Sequence, residues 1–488
     1  MSTSEEPLLG QDYESGDKSL SSDEWRPSRL APSRTRRYFA ACISLALAAL
    51  AGFLFFLWTT RHAPGLTITP EDVPPPLVMP PSNSSPILEV NPLDPLLSLK
   101  GPPTASFRDN LRPELQYITS WPSAGWTNDV MTYGNLIYLA IITDRIPVIP
   151  MFTPSHIGGS VPPIPFGEVF DVPRLRDLIG RPVLEWREVK DTSSETVDDI
   201  GCWNLWESVQ YYEHRPRGSS VPTHLKLDIS YTKTPDWTKR IPNYEHDKSS
   251  TFWSLASLAF PETRAKSLVT PLESPEHHVS LPPDEQMLCF DYLYYVCANE
   301  AFEWDKDYGP AWRYVGQHMR WTMTLQGIAD DYVRATIGVQ DEDEPTPPFI
   351  SIHVRHGDFA VYCGDRPVEE CFAPISVIAR RVQEVKDELK TRKGIDVRHV
   401  IMTSDERNTT WWDQVSEQGW LQVDHSKTAE LYGTWYPLLI DAVIQSGGMG
   451  FVGTDTSTMS ILALRRVQSW RDGATRMFKW GRPDSDDH

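Results

Sequence analysis

The spacing of apolar positions changes along this chain, and each change marks a different kind of structure. Residues 1–37 are rich in Ser, Glu, Asp and Arg and show no hydrophobic period, as expected of a disordered tail. The next stretch, "YFAACISLALAALAGFLFFLW" from Tyr38 to Trp58, has 21 residues and no charge. At 1.5 Å per residue it is long enough to cross a hydrocarbon core of roughly 30 Å. Residues 59–105 are Pro-rich, with neither helical nor strand spacing, and read as an extended stalk.

Beyond Ser106 the pattern becomes periodic. From Asn128 to Thr143, apolar Val130, Met131, Leu136, Ile137, Leu139, Ala140 and Ile141 predict a helix with a broad apolar face. "IPVIP" then predicts a short strand stopped by Pro150, which makes an α/β unit. Residues 158–283 are Pro-rich and irregular, and their elements are not placed by pattern. "GPAWRYVGQHMRWTMTLQGIADDYVRATIG" reads as one long helix, followed by the strand "PPFISIHV". The next helix puts Val377, Ile378, Val382, Val385 and Leu389 on one face, with Gly394 to cap it. "DVRHVIMTSD" and "MGFVGT" are strands; "TTWWDQVSEQG", "WYPLLIDAVIQSGG" and "STMSILALRRVQSW" are helices. This alternation predicts a parallel sheet wound on both faces, and two α/β domains, 106–302 and 303–488.

Charge changes the picture in two ways. A net charge of −20, with no basic tract outside the tail, argues against a nucleic-acid partner. Arg34, Arg36 and Arg37 precede the apolar span and only Arg61 and His62 follow closely, which predicts a cytosolic N-terminus and a luminal remainder. A cleaved signal peptide is the alternative; the long polar leader argues against it. The expected location is the Golgi or endoplasmic reticulum membrane, as a single-pass type II protein. The C-terminal "DSDDH" is not a retention signal of the KDEL type. Asn83 and Asn408 head glycosylation sequons. In an oxidising lumen, Cys363 with Cys371 and Cys289 with Cys297 offer two short-loop disulfides, leaving Cys202 over.

Ligands of open parallel sheets bind beyond the carboxyl ends of strands, and three such ends carry chemistry here. After Phe349–Ile352 come His353, Arg355, His356 and Asp358. Arg355 offers a planar fork of donors suited to phosphate, and Asp358 can hold it. A structural ion pair is the plainer alternative. The two histidines have no third ligand at metal spacing, and "DEDE" at Asp341–Glu344 reads as a solvated loop, so no metal or other cofactor is expected. After Val397–Met402 comes Thr403-Ser404-Asp405, either a nucleoside contact or a helix cap. After Gly450–Val452, "GTDTSTMS" opens a helix whose first amides, with Thr456, Ser457 and Thr458, form a cradle for phosphate; ordinary capping is the alternative. "GMGFVG" matches GxGxxG but precedes its strand, so it is not a dinucleotide fingerprint. Together the three ends describe a sugar-nucleotide site.

Four patches resemble the GDP-fucose protein O-fucosyltransferase superfamily, which is related to the α1,6-fucosyltransferases. "HVRHGD" is similar to its HxRxxD segment. "GFVGTDTSTMS" is similar to its C-terminal FxGTxxSTFS segment, with Met459 where Phe is usual. "VIMTSDE" resembles the strand between them. "AGWTNDVMTYGNLIYLAIITDRIPVIP" resembles the N-terminal segment, with Asp129 in place of Gln. The resemblance implies a GT-B-like fold of two Rossmann-like domains facing a cleft, and inverting, metal-independent transfer of fucose from GDP-fucose to a protein or glycan acceptor. It implies that Arg355 clamps the phosphate and stabilises departing GDP, and that His353 and Asp358 contribute beside it. Asp405 would meet guanine; Thr456, Ser457, Thr458 and Met459 would line the diphosphate. Gly125, Trp126 and Asn128 would border the sugar from the facing domain. Asp129 is the candidate base, and reaction without a dedicated base is the alternative. Another GDP-sugar such as GDP-mannose, or a non-catalytic lectin or scaffold, are the competing readings.

Overall fold

The computed structural model describes residues 93–210, 212–341 and 343–486. The tail, the span 38–58, the stalk up to residue 92 and Asn83 lie outside them. No helix among the described residues is long and apolar enough to cross a membrane.

The α/β reading holds, in the form of two parallel sheets. The first has six strands: β1 (Tyr117–Ser120), β2 (Ile146–Ile149), β3 (Leu184–Glu185), β4 (Asp198–Asn204), β5 (Leu227–Lys233) and, after the separate β6 (Ser250–Thr251), β7 (Met287–Phe290). Their order is β3-β2-β1-β7-β4-β5. β6 pairs only with β8 (Val296–Cys297). The second sheet holds β9 (Phe349–Val354), β10 (His399–Ser404), β11 (Leu421–Gln422), β12 (Gly450–Thr454) and β13 (Ala474–Phe478), in the order β11-β10-β9-β12-β13. Strands β4 and β5 occupy the middle region that pattern left unplaced.

Helix α1 (Trp126–Thr143) follows β1 and ends at Asp144, whose left-handed backbone (φ 52°) lets its N–H reach Ala140 and Ile141. It is buried on nearly every face. Gly134 is what permits this: a Cβ there would lie 2.4 Å from the Trp304 ring. Trp304 docks in that gap, and its Nε1 donates to Asn135 Oδ1 at 3.0 Å. Trp304 therefore packs on the first lobe although it follows the expected boundary at residue 302. The expected stalk also joins the fold before residue 105, because Leu99 is buried and bridges Leu111.

Asp171 caps α2 (Val172–Ile179). The single long helix expected before β9 is broken. Pro310–Tyr314 and Gly316–His318 are separate turns, and only α3 (Met323–Ile337), capped by Thr322, is a full helix. The break lets Trp321 leave the helical path, bridge Phe170 and enter an aromatic stack. In the second lobe come α4 (Ile375–Lys393), α5 (Thr409–Glu417), α6 (Tyr436–Gly447) and α7 (Thr458–Arg471). α4 buries Ile375, Ile378, Val382, Val385 and Leu389 and is capped by Gly394 at φ 67°. Each such side chain contributes roughly 1.5–3 kcal/mol. Asn408, the second sequon, is exposed and caps α5.

Cys363–Cys371 is a disulfide, as spacing predicted, but Cys289 pairs with Cys202 and not with Cys297. Adjacent strands β4 and β7 bring the Cys202 and Cys289 Cα atoms to 4.6 Å. Cys297 sits in the other small sheet, buried, with its Sγ donating to the Ser250 carbonyl.

Candidate functional site

Each sheet reverses its winding direction beside its first strand, and the crevice at such a reversal is where ligands bind. In the second sheet that point lies between β9 and β12; in the first, between β1 and β7. The loops leaving these strands meet. Thr127 at the start of α1 hydrogen-bonds Thr458 at the start of α7, at 2.6 Å. Thr458 in turn donates to Asn128 Oδ1 at 2.8 Å, so the Thr127 hydroxyl is the donor in the first bond. Two helix N-termini therefore converge, each with unpaired amides and a positive dipole end.

Arg355 stands beside them, half-buried. Its Nε and Nη2 both reach Asp358 Oδ1 at 2.8 Å, and its Nη1 reaches Asp405 Oδ2 at 2.8 Å. Nε donates to Asp358, and the two terminal nitrogens, held in ion pairs, carry the N–H groups that an anion would meet. Asp405 Oδ1 accepts from the His356 amide at 2.8 Å. Both oxygens of Asp405 are thus engaged in holding Arg355 and its loop. Gly357 makes this approach possible: a Cβ there would lie 2.3 Å from Asp405 Oδ2. His356 stacks on Phe372, and its Nδ1 pairs with Glu406 at 2.6 Å.

His353 lies within β9 rather than beyond it, because the strand runs on to Val354. It is 6% exposed and its Nδ1 bonds Ser460 Oγ at 2.8 Å. Burial, with the charge of Arg355, pushes it down to about 3, so the ring is neutral at physiological pH. Thr454 Oγ1 ties the strand ends together: it accepts from the Arg355 amide at 2.9 Å and donates to the His353 carbonyl at 3.2 Å. Thr456 is exposed with φ 66°, a backbone state that costs a β-branched residue on the order of 1–2 kcal/mol. Ser457 is buried at the cap of α7, and Thr458 and Met459 are half-buried in its first turn.

On the facing side the expected residues divide. Asn128 is brought into the site. Gly125 turns the chain into α1, its carbonyl accepting from the Asn128 and Asp129 amides. Trp126 points away: it is 4% exposed and packs against the stacked pair Phe170 and Trp321. Asp129 is fully buried, and its Oδ1 accepts from the Ser123 and Ala124 amides at 3.1 Å each. It braces the loop after β1 and is closed off from an acceptor. Burial raises its carboxyl well above 3.8, against the two amides and the charge of Arg217. The folded chain keeps a proton that the unfolded chain releases above about 3.8. This contribution to stability is full below that pH and is lost as pH rises through the folded value. Asp129→Asn keeps the Oδ1 acceptor and is expected to flatten the loss of thermal stability as pH rises above about 4. Parallel melting curves for the two proteins would mean that Asp129 is ionised in the fold.

Several contributors had no sequence assignment. Asp291 follows β7 directly, the same strand-then-acid pattern as Thr403-Ser404-Asp405, and could have been found that way. It accepts from the amides of Leu205, Trp206 and Arg217, and burial raises it to about 7. Arg217 reaches the Ser123 carbonyl at 2.9 Å from an irregular segment that carries no pattern. Thr127 is visible only once the lobes meet, and Thr454 and Ser460 only once β12 and the start of α7 lie beside β9. The one trio of metal-competent side chains among the described residues is Asp199, Asp228 and His277. It lies away from Arg355, and Asp228 is engaged by Ser274 and the His277 amide.

No family model and no curated protein matches this sequence. Among solved structures the chain is similar to POFUT1 in complex with GDP-fucose: 15% identity, 76% of this chain and 99% of that one, TM-score 0.46. It is also similar to NodZ alpha-1,6-fucosyltransferase soaked with GDP-fucose: 14% identity, 72% and 93% of the two chains, TM-score 0.37. A fucosyltransferase NodZ from Bradyrhizobium gives 14% identity, 72% and 92%, and TM-score 0.35. Likenesses this distant carry no inference about chemistry, which rests on the site itself.

Proposed function

We propose that this chain is a GT-B-like glycosyltransferase that moves fucose from GDP-fucose to a hydroxyl of a protein or glycan acceptor. The reading includes inversion at the anomeric carbon, no metal requirement, and a type II anchor in the Golgi or endoplasmic reticulum membrane. The observation that carries it is that the starts of α1 and α7 meet through Thr127, Thr458 and Asn128, while Arg355, at the end of β9, is tied by its amide to Thr454 at the end of β12, the strand that leads into α7. As the acceptor oxygen bonds the anomeric carbon, the bond to the diphosphate breaks and negative charge develops on departing GDP. The guanidinium fork and two helix ends supply fixed positive potential there, with no reorganisation during reaction. In this reading Asp405 positions Arg355, and neutral His353, its Nδ1 held by Ser460, offers its Nε2 to the donor. With Asp129 closed off, the acceptor's proton leaves late, to water or to the departing diphosphate, in a loose transition state without a dedicated base.

The test uses a fragment from residue 88, so that Asp94 and Leu99 keep their contacts. GDP release from GDP-fucose and from GDP-mannose is followed with and without EDTA. Fucose-selective, EDTA-resistant release is expected. Release from GDP-mannose alone would assign the rival donor, and GDP binding without release from either sugar would make the chain a binding protein.

A further inference from the structure

Arg466, on α7, is 2% exposed, yet no carboxylate pairs with it among the described residues. Its Nε is buried without a hydrogen bond. Its Cζ lies 4.2 Å from the Trp321 ring, 5.5 Å from Trp470 and 5.7 Å from Phe170. Arg320 stands against the same Trp470 ring at 4.3 Å, and its Nε is likewise buried and unbonded. The charges acting on Arg320 are more arginine: Arg174 of α2 and Arg471 at the end of α7. With burial they push Arg320 down to about 10, and burial alone pushes Arg466 down to about 9.

This is an unusual arrangement for a chain with 66 acidic and 46 basic residues. Other arginines with a buried, unbonded Nε, such as Arg145, Arg240 and Arg264, still place their terminal nitrogens on carbonyls or carboxylates, whereas no such acceptor is found for Arg320 or Arg466 among the described residues. Arg381 is paired with Asp486 and Glu384, and Arg145 donates to the carbonyls of Tyr117, Glu285 and Gln286. The C-terminal dipole of α7 accounts for Arg471, but Arg174 and Arg320 come from other elements. Cation–π contacts offset part of the burial without giving the N–H groups an acceptor.

We propose that Arg174, Arg320, Arg466 and Arg471 form a binding site for a tetrahedral oxyanion, a phosphate or sulfate ester, separate from the Arg355 site. Arg466 lies eight residues beyond Thr458 on α7, about 12 Å along the helix axis. Arg174 and Arg471 are exposed: the Asp171 amide at the start of α2 donates to the Arg320 carbonyl at 2.8 Å, Arg471 follows Trp470 in the chain, and Arg320 and Arg466 both lie against the Trp470 ring. Guanidinium forks match the oxygens of such a group two at a time, and several of them match its charge.

The test measures the thermal midpoint of the detergent-solubilised full chain carrying Arg355→Ala, so that the first site does not contribute. Sodium sulfate and sodium phosphate are titrated against sodium chloride at matched ionic strength. Mannose 6-phosphate and galactose 6-sulfate, in parallel arms, separate the two ester types. A saturable rise of about 2–4 °C is expected. Arg320→Gln and Arg466→Met should each abolish it. Arg466→Met should also leave the midpoint in anion-free chloride unchanged or higher, because it removes an unpaired buried charge. No saturable rise in any arm, or a rise that survives both variants, would overturn the site. So would an Arg466→Met chain that melts lower yet keeps the response, since that marks Arg466 as packing.

Discussion

An Arg355→Ala chain is expected to fold and to lose on the order of 10²–10³ in kcat for GDP release from GDP-fucose. The fold should survive because the side chain is half-exposed and its partners are not stranded. Asp358 is half-exposed itself, and Asp405 keeps the His356 amide. The rate should fall because Arg355 alone presents guanidinium N–H groups at the strand end. Two further variants separate its charge from its position. Asp405→Asn keeps the carbonyl acceptor for the His356 amide but loses the ionic hold on Nη1, and about a tenfold loss is expected. Gly357→Ala leaves every charge in place but drives a methyl group into Asp405 Oδ2, so it should reproduce the Asp405→Asn loss. Steady-state rates of the three variants, beside circular dichroism for folding, decide the matter. An Arg355→Ala enzyme within about threefold of wild type would remove phosphate stabilisation from the mechanism. A fully active Gly357→Ala enzyme would show that Asp405 does not set the guanidinium's position.

The three strand ends were legible because β9, β10 and β12 are short apolar runs bounded by Pro, Asp or Gly, and such runs have few alternatives. The types of residue at those ends were legible too. What each residue faces was less so. In β9, Ile350, Ile352 and Val354 pack into the core shared with α4, so period-2 alternation turns Ser351 and His353 to the other face. That parity sends His353 to Ser460 and buries it within the strand rather than beyond its end. Strands β4 and β5 were hidden because their buried polar residues are satisfied from far along the chain. Asp228 accepts from Ser274 and from the Glu276 and His277 amides, and Ser230 donates to the Val279 carbonyl. The break before α3 was hidden for the same reason: Trp321 leaves the helical path for partners at Phe170 and Trp126. Local spacing reports local structure, and these choices are made by distant contacts.

The disulfide correction is of this kind, and it leads to the largest expected effect on stability. The double variant Cys202→Ser/Cys289→Ser should lose about 4–5 kcal/mol, because the bond closes a loop with a sequence separation of 87. Opening Cys363–Cys371, with a separation of 8, should cost about 2.5 kcal/mol by the same chain-entropy relation. Cys297→Ser should cost about 1 kcal/mol, since it removes a buried sulfur and its weak bond to the Ser250 carbonyl but no crosslink. Urea denaturation of the fragment from residue 88, without reductant, gives these values side by side. Thiol titration supplies an independent reading. Cys297 is the one free thiol among the described residues, its burial pushes it up to about 12, and it should react only in denaturant. If Cys289 were joined to Cys297 instead, the loop would be as short as that of Cys363–Cys371, the loss of about 4–5 kcal/mol would not be seen, Cys297→Ser would cost about 2.5 kcal/mol, and the thiol released by denaturant would be Cys202. The strand pairing argues against that outcome: β7 lies beside β4, while Cys297 is held in a separate two-stranded sheet.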